Sequence, residues 1–308
     1  MNPNTASISL ALGSGGARGL AHIGVIRRLT EVGFDIGYIA GTSIGALVGG
    51  IYAAGRLDEY EAWARELTRG DMLRLLDFSF TRGSVIKGDK VIDAICELIG
   101  DQNIETLDIG FAAVATDMRE QSEVWLSRGS LFDAIRASTA IPTLLSPIEL
   151  DGRLLADGGL VNPIPIAPTL NHGASMTVAV DLNGPREGTP PKKAKKPVTK
   201  TKRTSNNPYA QKIAQFIDKL RPSKESEPKE AHPGFLEMTT QTIEVMQNGI
   251  ARLKMAAYKP DMVIRIPRDL CAFWEFDRAS EMIEFGYDRA SEVIEAFERT
   301  PTHSERRF

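Results

Sequence analysis

Cysteine and histidine are scarce in this sequence, and long apolar runs are missing. The 308 residues contain two cysteines, Cys96 and Cys271, far apart and outside any C-x-x-C spacing. That leaves little support for a disulfide framework or a thiolate metal site, and a reducing cytoplasm is the simplest expectation. No stretch approaches the roughly 18 apolar residues that span a bilayer. The first residues, MNPNTASISLALGSGG, lack a basic n-region, and their apolar stretch is only about five residues long before glycines intervene. The chain is therefore expected to stay in the compartment where it is made. What is present is the composition of a globular protein, 42% hydrophobic, 25% charged and 7% aromatic, which excludes wholesale disorder. The length fits one large α/β domain with an appendage as well as it fits two domains.

The net charge of -3 hides a division. Residues 184–234 hold 13 Lys/Arg against 5 Asp/Glu and 8 of the 17 prolines, so this segment is +8 and the remainder -11. Within it, Lys192 to Arg203 carries seven basic residues and no acid; such a tract cannot build a core and is expected to be flexible. Tyr209, Ile213, Phe216, Ile217 and Leu220 then recur at helical spacing, predicting a short amphipathic helix. The layout expected is a core over 6–183, a basic insertion over 184–234, a return to the same domain over 235–299 and a polar tail over 300–308.

Strands and helices alternate along the core. Ile8 to Leu12 is a short apolar run followed by the glycine loop Gly13 to Gly19 and a helical face of Leu20, Ile23, Ile26 and Leu29. Ile36 to Ala40 runs into Gly41-Thr42-Ser43-Ile44-Gly45 and then the helix-like Ala46 to Ala54. Helices are expected over Asp58 to Leu67, Asp89 to Ile99 and Asp133 to Ser138, with strands at Phe111 to Thr116, Glu123 to Leu126 and Met176 to Asp181. Asp151-Gly152 predicts a hairpin between Ile148 to Leu150 and Leu154 to Ala156. Phe235 to Ala257 reads as a long helix, Asp261 to Ile266 as a last strand and Arg278 to Phe297 as a closing helix. This order implies an α/β fold with a mostly parallel sheet covered on both faces.

The chemistry concentrates at the turns. Gly41-Thr42-Ser43-Ile44-Gly45 is a G-x-S-x-G between a strand and a helix, where a tight turn lifts the serine hydroxyl off the sheet. Ser43 is the candidate nucleophile, with Gly41 and Gly45 removing the Cβ atoms that would clash; alone, the motif is equally well a glycine-softened turn. The loop after the first strand lacks the Gly-Lys-Ser/Thr of a P-loop and fails the dinucleotide fingerprint at Arg18 or Ser14. Its free N–H groups at a helix start suit a developing oxyanion, with Gly15, Gly16 and Ala17 as donors. A serine needs a base. His22, His232 and His303 read as structural or solvated, leaving His172 or Asp157. Asp157 lies in Leu154-Leu155-Ala156-Asp157-Gly158-Gly159, where apolar neighbours would raise its pKa above about 4 and make it a better base. Taken alone it reads first as an ordinary Asp-Gly turn and only second as a base.

The glycine loop with Leu20-Ala21-His22-Ile23-Gly24, the Gly41 to Gly45 elbow, Ala137-Ser138-Thr139-Ala140-Ile141-Pro142 and Asp157-Gly158-Gly159 occur in the order and spacing found in bacterial patatin-like phospholipases. The chain resembles that family, which is related in its catalytic domain to patatin and neuropathy target esterase. The resemblance covers roughly residues 6 to 183 and a closing strand and helix from about 260. It implies a patatin-like three-layer architecture, a Ser43–Asp157 dyad without histidine, an oxyanion loop of Gly15, Gly16, Ala17 and Arg18, and hydrolysis of lipid acyl esters through an acyl-enzyme without metal or organic cofactor. One departure is Ser14, where the family often has glycine. The competing expectations are a histidine-dependent α/β-hydrolase using His172 and a non-catalytic member that binds an acyl ligand. Two roles fit the basic segment equally well: peripheral contact with anionic membrane through 192–220, or a lid. Nucleic acid is not expected, since the tract lacks interleaved aromatics.

Overall fold

The computed structural model describes residues 6–71, 94–97, 100–142, 145–188 and 235–299. The expected basic tract, its amphipathic helix and most of the helix expected over 89–99 lie outside them. Among the described residues, eight strands form one mixed sheet: β1 (Ser7–Leu12), β2 (Asp35–Thr42), β3 (Gly110–Asp117), β4 (Ser122–Leu126), β5 (Ile148–Leu150), β6 (Arg153–Asp157), β7 (Met176–Gly184) and β8 (Met262–Pro267). Its helices are α1 (Ala21–Glu31), α2 (Ile44–Ala53), α3 (Leu57–Glu66), α4 (Leu131–Ser138), α5 (Phe235–Tyr258) and α6 (Ala279–Glu298).

The strand order is β5-β6-β3-β2-β1-β7-β8, with β4 also paired to β3. The five strands β8, β7, β1, β2 and β3 run parallel, and β4, β5 and β6 add antiparallel pairs at the β3 end. Sequence explains the difference. β1, β3 and β7 are largely apolar runs buried on both faces, and β2 is so from Ile39 onward, as parallel strands under helices must be. β4 alternates, with Val124 buried and Trp125 exposed. The Asp151-Gly152 turn sits at positive φ, 50° and 73°, the geometry of a two-residue hairpin loop. Most of the buried apolar residues form one cluster uniting β1, β2, β7 and β8 with α1, α2, α3 and α6. No helix among the described residues is long and apolar enough to cross a membrane.

Pairing along β3 decides where the site forms. At Ala113 and Val114, β3 is bonded to both β2 and β4, and from Ala115 to Asp117 to both β4 and β6. A strand has two edges, so β2 and β6 must occupy the same one, end to end. Thr42 faces Val114 and Asp157 faces the next residue, Ala115. The residue after β2 and the last residue of β6 are thereby brought to one point at the carboxyl ends of the parallel strands, the place where open α/β sheets hold their ligands.

Candidate active site

Ser43 is the residue after β2 and caps α2 with φ 57° and ψ -123°, a conformation that costs energy for any residue with a Cβ and persists only when its surroundings impose it. Those surroundings are explicit. A Cβ on Gly41 would meet the Ala46 backbone nitrogen, and one on Gly45 the Leu12 carbonyl, so only glycine lets the turn close. The Ser43 N–H donates to Ser138 Oγ at 2.9 Å, and that hydroxyl donates to the Val114 carbonyl at 2.6 Å. Thr42 Oγ1 donates to the Asn162 carbonyl at 2.9 Å, tying the elbow to the chain beyond β6.

Asp157 is clamped as closely. Its N–H donates to the Ala140 carbonyl at 2.9 Å and its own carbonyl accepts from Thr116 Oγ1 at 2.8 Å. Oδ1 accepts the Gly159 N–H at 2.7 Å, and a Cβ on Gly158 would collide with the Val114 carbonyl. Ser43 and Asp157 are 5% and 3% exposed and line one cavity. Burial pushes the Asp157 carboxyl up to about 6, against the opposing pull of the Ser43 hydroxyl and the Gly159 N–H. Oδ2 has no partner of full hydrogen-bond geometry. The serine hydroxyl is thus near enough to favour the carboxylate without closing an aligned bond, as in many unliganded sites.

The glycine loop follows β1, the strand beside β2. Gly15 lines the cavity, and among the described residues the N–H groups of Gly15 and Gly16 have no acceptor. Ala17 differs: its N–H donates to the Phe273 carbonyl at 2.9 Å. This corrects its placement among the free oxyanion donors, because the loop after β8 has already taken that hydrogen. Arg18 is 3% exposed, and its guanidinium is held by the loop after β8 and by α5. Its Nη1 donates to the carbonyls of Arg268 and Cys271 at 3.3 and 3.4 Å, and Nη2 pairs with Glu244 of α5 at 2.8 Å.

Three supporting features take their particular roles only from the structure. His22, fully buried, shares a 2.9 Å hydrogen bond between Nε2 and the Gly13 carbonyl; burial holds its pKa down at about 4, so the ring is neutral and Nε2 carries the hydrogen. It fixes the base of the glycine loop. Ser138 supports the elbow, and α5 roofs the cavity with Ile243, Glu244 and Gln247. Ser14 Oγ donates to Gln247 Oε1 at 3.4 Å, so the serine that stands in place of glycine touches the roof. The enclosed space is about 20 Å³, room for about one water. His172 is elsewhere: it is exposed and stacks on Tyr38 with ring centroids 3.5 Å apart. Five residues of strand separate Tyr38 from Ser43, about 16 Å, so a triad through His172 has no geometric basis. His232 and His303 lie outside the described residues.

A largely parallel sheet with a strained serine elbow and a glycine loop at adjacent strand ends defines an α/β protein of the patatin kind. The chain belongs to the patatin-like phospholipase family, whose pattern it matches over residues 10–170. It is 41% identical to an NTE family protein of Mycobacterium tuberculosis across 94% of this chain and 92% of that protein. It is 34% identical to the Drosophila melanogaster neuropathy target esterase sws over 57% of this chain, and 34% identical to lysophospholipase NTE1 of Candida glabrata over 60%. Those matches span only 13% and 11% of the larger proteins. VipD from Legionella pneumophila shares the fold, with a TM-score of 0.54 at 13% identity over 96% of this chain and 67% of that one.

Proposed function

We propose that the protein hydrolyses carboxylic ester bonds of lipids with Ser43 as nucleophile and Asp157 as its only base. The Asp157 carboxylate takes the Ser43 proton as Oγ attacks the acyl carbonyl, and the N–H groups of Gly15 and Gly16 receive the oxyanion. Each such donor contributes about 2.7 to 4 kcal/mol in comparable sites. Collapse of the tetrahedral intermediate leaves the acyl group on Oγ, and the departing alcohol takes the proton from Asp157. A water then gives its proton to Asp157 and attacks the ester; the fatty acid leaves and Ser43 regains its hydrogen.

The observation that carries this reading is the meeting of a strained serine and a desolvated carboxyl in one cavity beside unpaired N–H donors. The relatives named for lysophospholipase and esterase activity direct the choice of substrate, and a lysophospholipid and a short-chain soluble ester are the first to test. Residues 184–234 contribute none of the groups used, and we read them as a basic appendage that governs contact with anionic lipid or access. A fluorophosphonate probe should label the wild type at Ser43, and Ser43→Ala should neither label nor turn over either ester. An unlabelled wild type without activity on both esters would sink the hydrolase reading and leave the acyl-ligand binder. Activity lost in His172→Ala but kept in Asp157→Asn would restore a triad.

A further inference from the structure

Helix α5 is apolar on two opposite sides. Inward, Ala251 and Met255 pack on Ile164 and Ile166, and Ile243 joins Glu244 and Gln247 over the Ser43 cavity. Outward, Met238, Val245, Met246 and Leu253 are 71%, 71%, 58% and 72% exposed. At 3.6 residues per turn these four fall within an arc of about 100°, together with Thr242, Gly249 and Ala256. No charged residue lies in that arc. A surface helix ordinarily turns charge outward, and although single exposed apolar residues are commonplace, a contiguous stripe marks a contact surface.

We propose that this outer stripe is where the protein docks on a lipid aggregate of net negative charge, and that docking draws α5 off the Ser43 cavity. Three observations select lipid as the occupant. The stripe is the back of the helix that roofs the site, so whatever binds it acts on the element that closes a space too small for an acyl chain. Charge is complementary: residues 184–234, which lead into α5, carry 13 Lys/Arg against 5 Asp/Glu, suited to an anionic headgroup layer, where each basic residue contributes about 1 kcal/mol. An exposed aromatic side chain also stands on the strand that α5 contacts. Lys254 pairs with Glu123 of β4 at 3.0 Å, and Trp125, two residues on and on the same face of β4, is 47% exposed, an amphipathic ring of the kind found where one side is apolar and the other wet. The two methionines can adapt to a disordered acyl surface.

Opening would break the Arg18–Glu244 pair and the Ser14–Gln247 contact. Both join the roof to the glycine loop, so the latch and the oxyanion donors share one segment.

The opening step rests on the proposed ester hydrolysis; the docking step does not. Vesicles of ether-linked phosphatidylcholine and phosphatidylglycerol, which offer no ester to cleave, separate the two. Wild-type protein should sediment with them even in about 1 M sodium chloride, where charges are screened within about 3 Å, and they should raise its rate on a soluble short-chain ester at least about tenfold. The double variant Val245→Glu with Leu253→Glu should keep its melting temperature and its rate without vesicles, lose at least about tenfold in vesicle affinity, and show no stimulation. If the pair of charges prevents folding, Leu253→Ser alone reads the same quantities with smaller changes. Sedimentation and stimulation equal to wild type would overturn the proposal. So would complete loss of wild-type binding in high salt, which would leave the basic segment as the sole contact. A lowered melting temperature with vesicle binding retained would show the stripe to be covered by this chain itself, and would also overturn it. Should no ester be cleaved and Ser43 remain unlabelled, the hydrolase reading fails while sedimentation still decides the docking surface.

Discussion

Ser43 and Asp157 are held by backbone bonds on paired strands, whereas α5, which closes the same cavity, buries only Gln247 and Ala251 among its described side chains. The floor of the site is over-determined and the roof is lightly attached. This division suits a hydrolase of aggregated substrates: catalytic geometry requires placement to within about 1 Å, while admission of a chain-like substrate requires something that moves. Elements that open are drawn from the least stable part of a fold. The difference also assigns tasks to residues, because substitutions in the floor should act on chemistry and those in the roof on access.

The largest effect is expected at Asp157. Asp157→Asn should lower kcat/KM by about 10²- to 10⁴-fold, the contribution of a positioned base. It should nevertheless stabilise the fold. The folded pKa of about 6 lies above the ordinary 3.8, so stability is fullest below about pH 4 and is lost as pH rises through about 6. At about pH 8 the asparagine variant should be more stable by up to about 3 kcal/mol, and at about pH 4 the two should coincide. Paired denaturant titrations read this directly. The wild-type kcat/KM should rise with pH through an apparent pKa near 6; a flat profile across that range would remove Asp157 from the role of base.

Ser138 offers the next test of the floor. Ser138→Ala leaves the Ser43 N–H and the Val114 carbonyl buried without their present partner, a loss of about 1 to 3 kcal/mol in stability. Because that N–H holds the elbow at positive φ, kcat should fall by about 10- to 100-fold with little change in KM. A raised KM with normal kcat would mean that Ser138 shapes the acyl pocket instead.

His22 sets the geometry one layer further out. Glutamine can place its Nε2 near the imidazole Nε2 and keep the bond to Gly13, so His22→Gln should retain activity within a few-fold while His22→Leu loses it. The histidine also has a pH signature opposite to that of Asp157. Its folded pKa of about 4 lies below the ordinary 6.5, so its contribution to stability is present above about pH 6.5 and lost as pH falls through about 4, up to about 3 kcal/mol in all. His22→Gln should remove that acid sensitivity, which urea titrations across this range would show.

Much of the floor was legible because tight turns restrict residue choice. The Gly41 to Gly45 elbow and the Asp157-Gly158-Gly159 turn both stood out, and each strand and helix expected within the described residues is present. The meeting of Ser43 with Asp157 rests on the end-to-end arrangement of β2 and β6 along β3, a pairing between distant segments that no local pattern announces. The same blindness misplaced Ala17, since the competing acceptor is the Phe273 carbonyl. Glu244 and Gln247 were silent because a helix over a cavity has no motif. The one signal available was the apolar pattern on both sides of α5.

The smallest effect should distinguish roof from floor most cleanly. Glu244 is 28% exposed in its pair with Arg18, and solvent screening limits such a pair to about 1 kcal/mol or less. Glutamine can still accept from Arg18 Nη2, so Glu244→Gln removes the charge and keeps the bond, leaving the arginine with the carbonyls of Arg268 and Cys271. Global stability should change by less than about 1 kcal/mol. Amide hydrogen exchange should quicken in α5 by about fivefold while β1, β2 and β3 keep their protection, and the rate on a soluble ester should rise by no more than that factor. Equal acceleration in the strands would show that roof and floor open as one cooperative unit. Access and catalytic geometry could then not vary independently, and the division of tasks between α5 and the strand ends would fall.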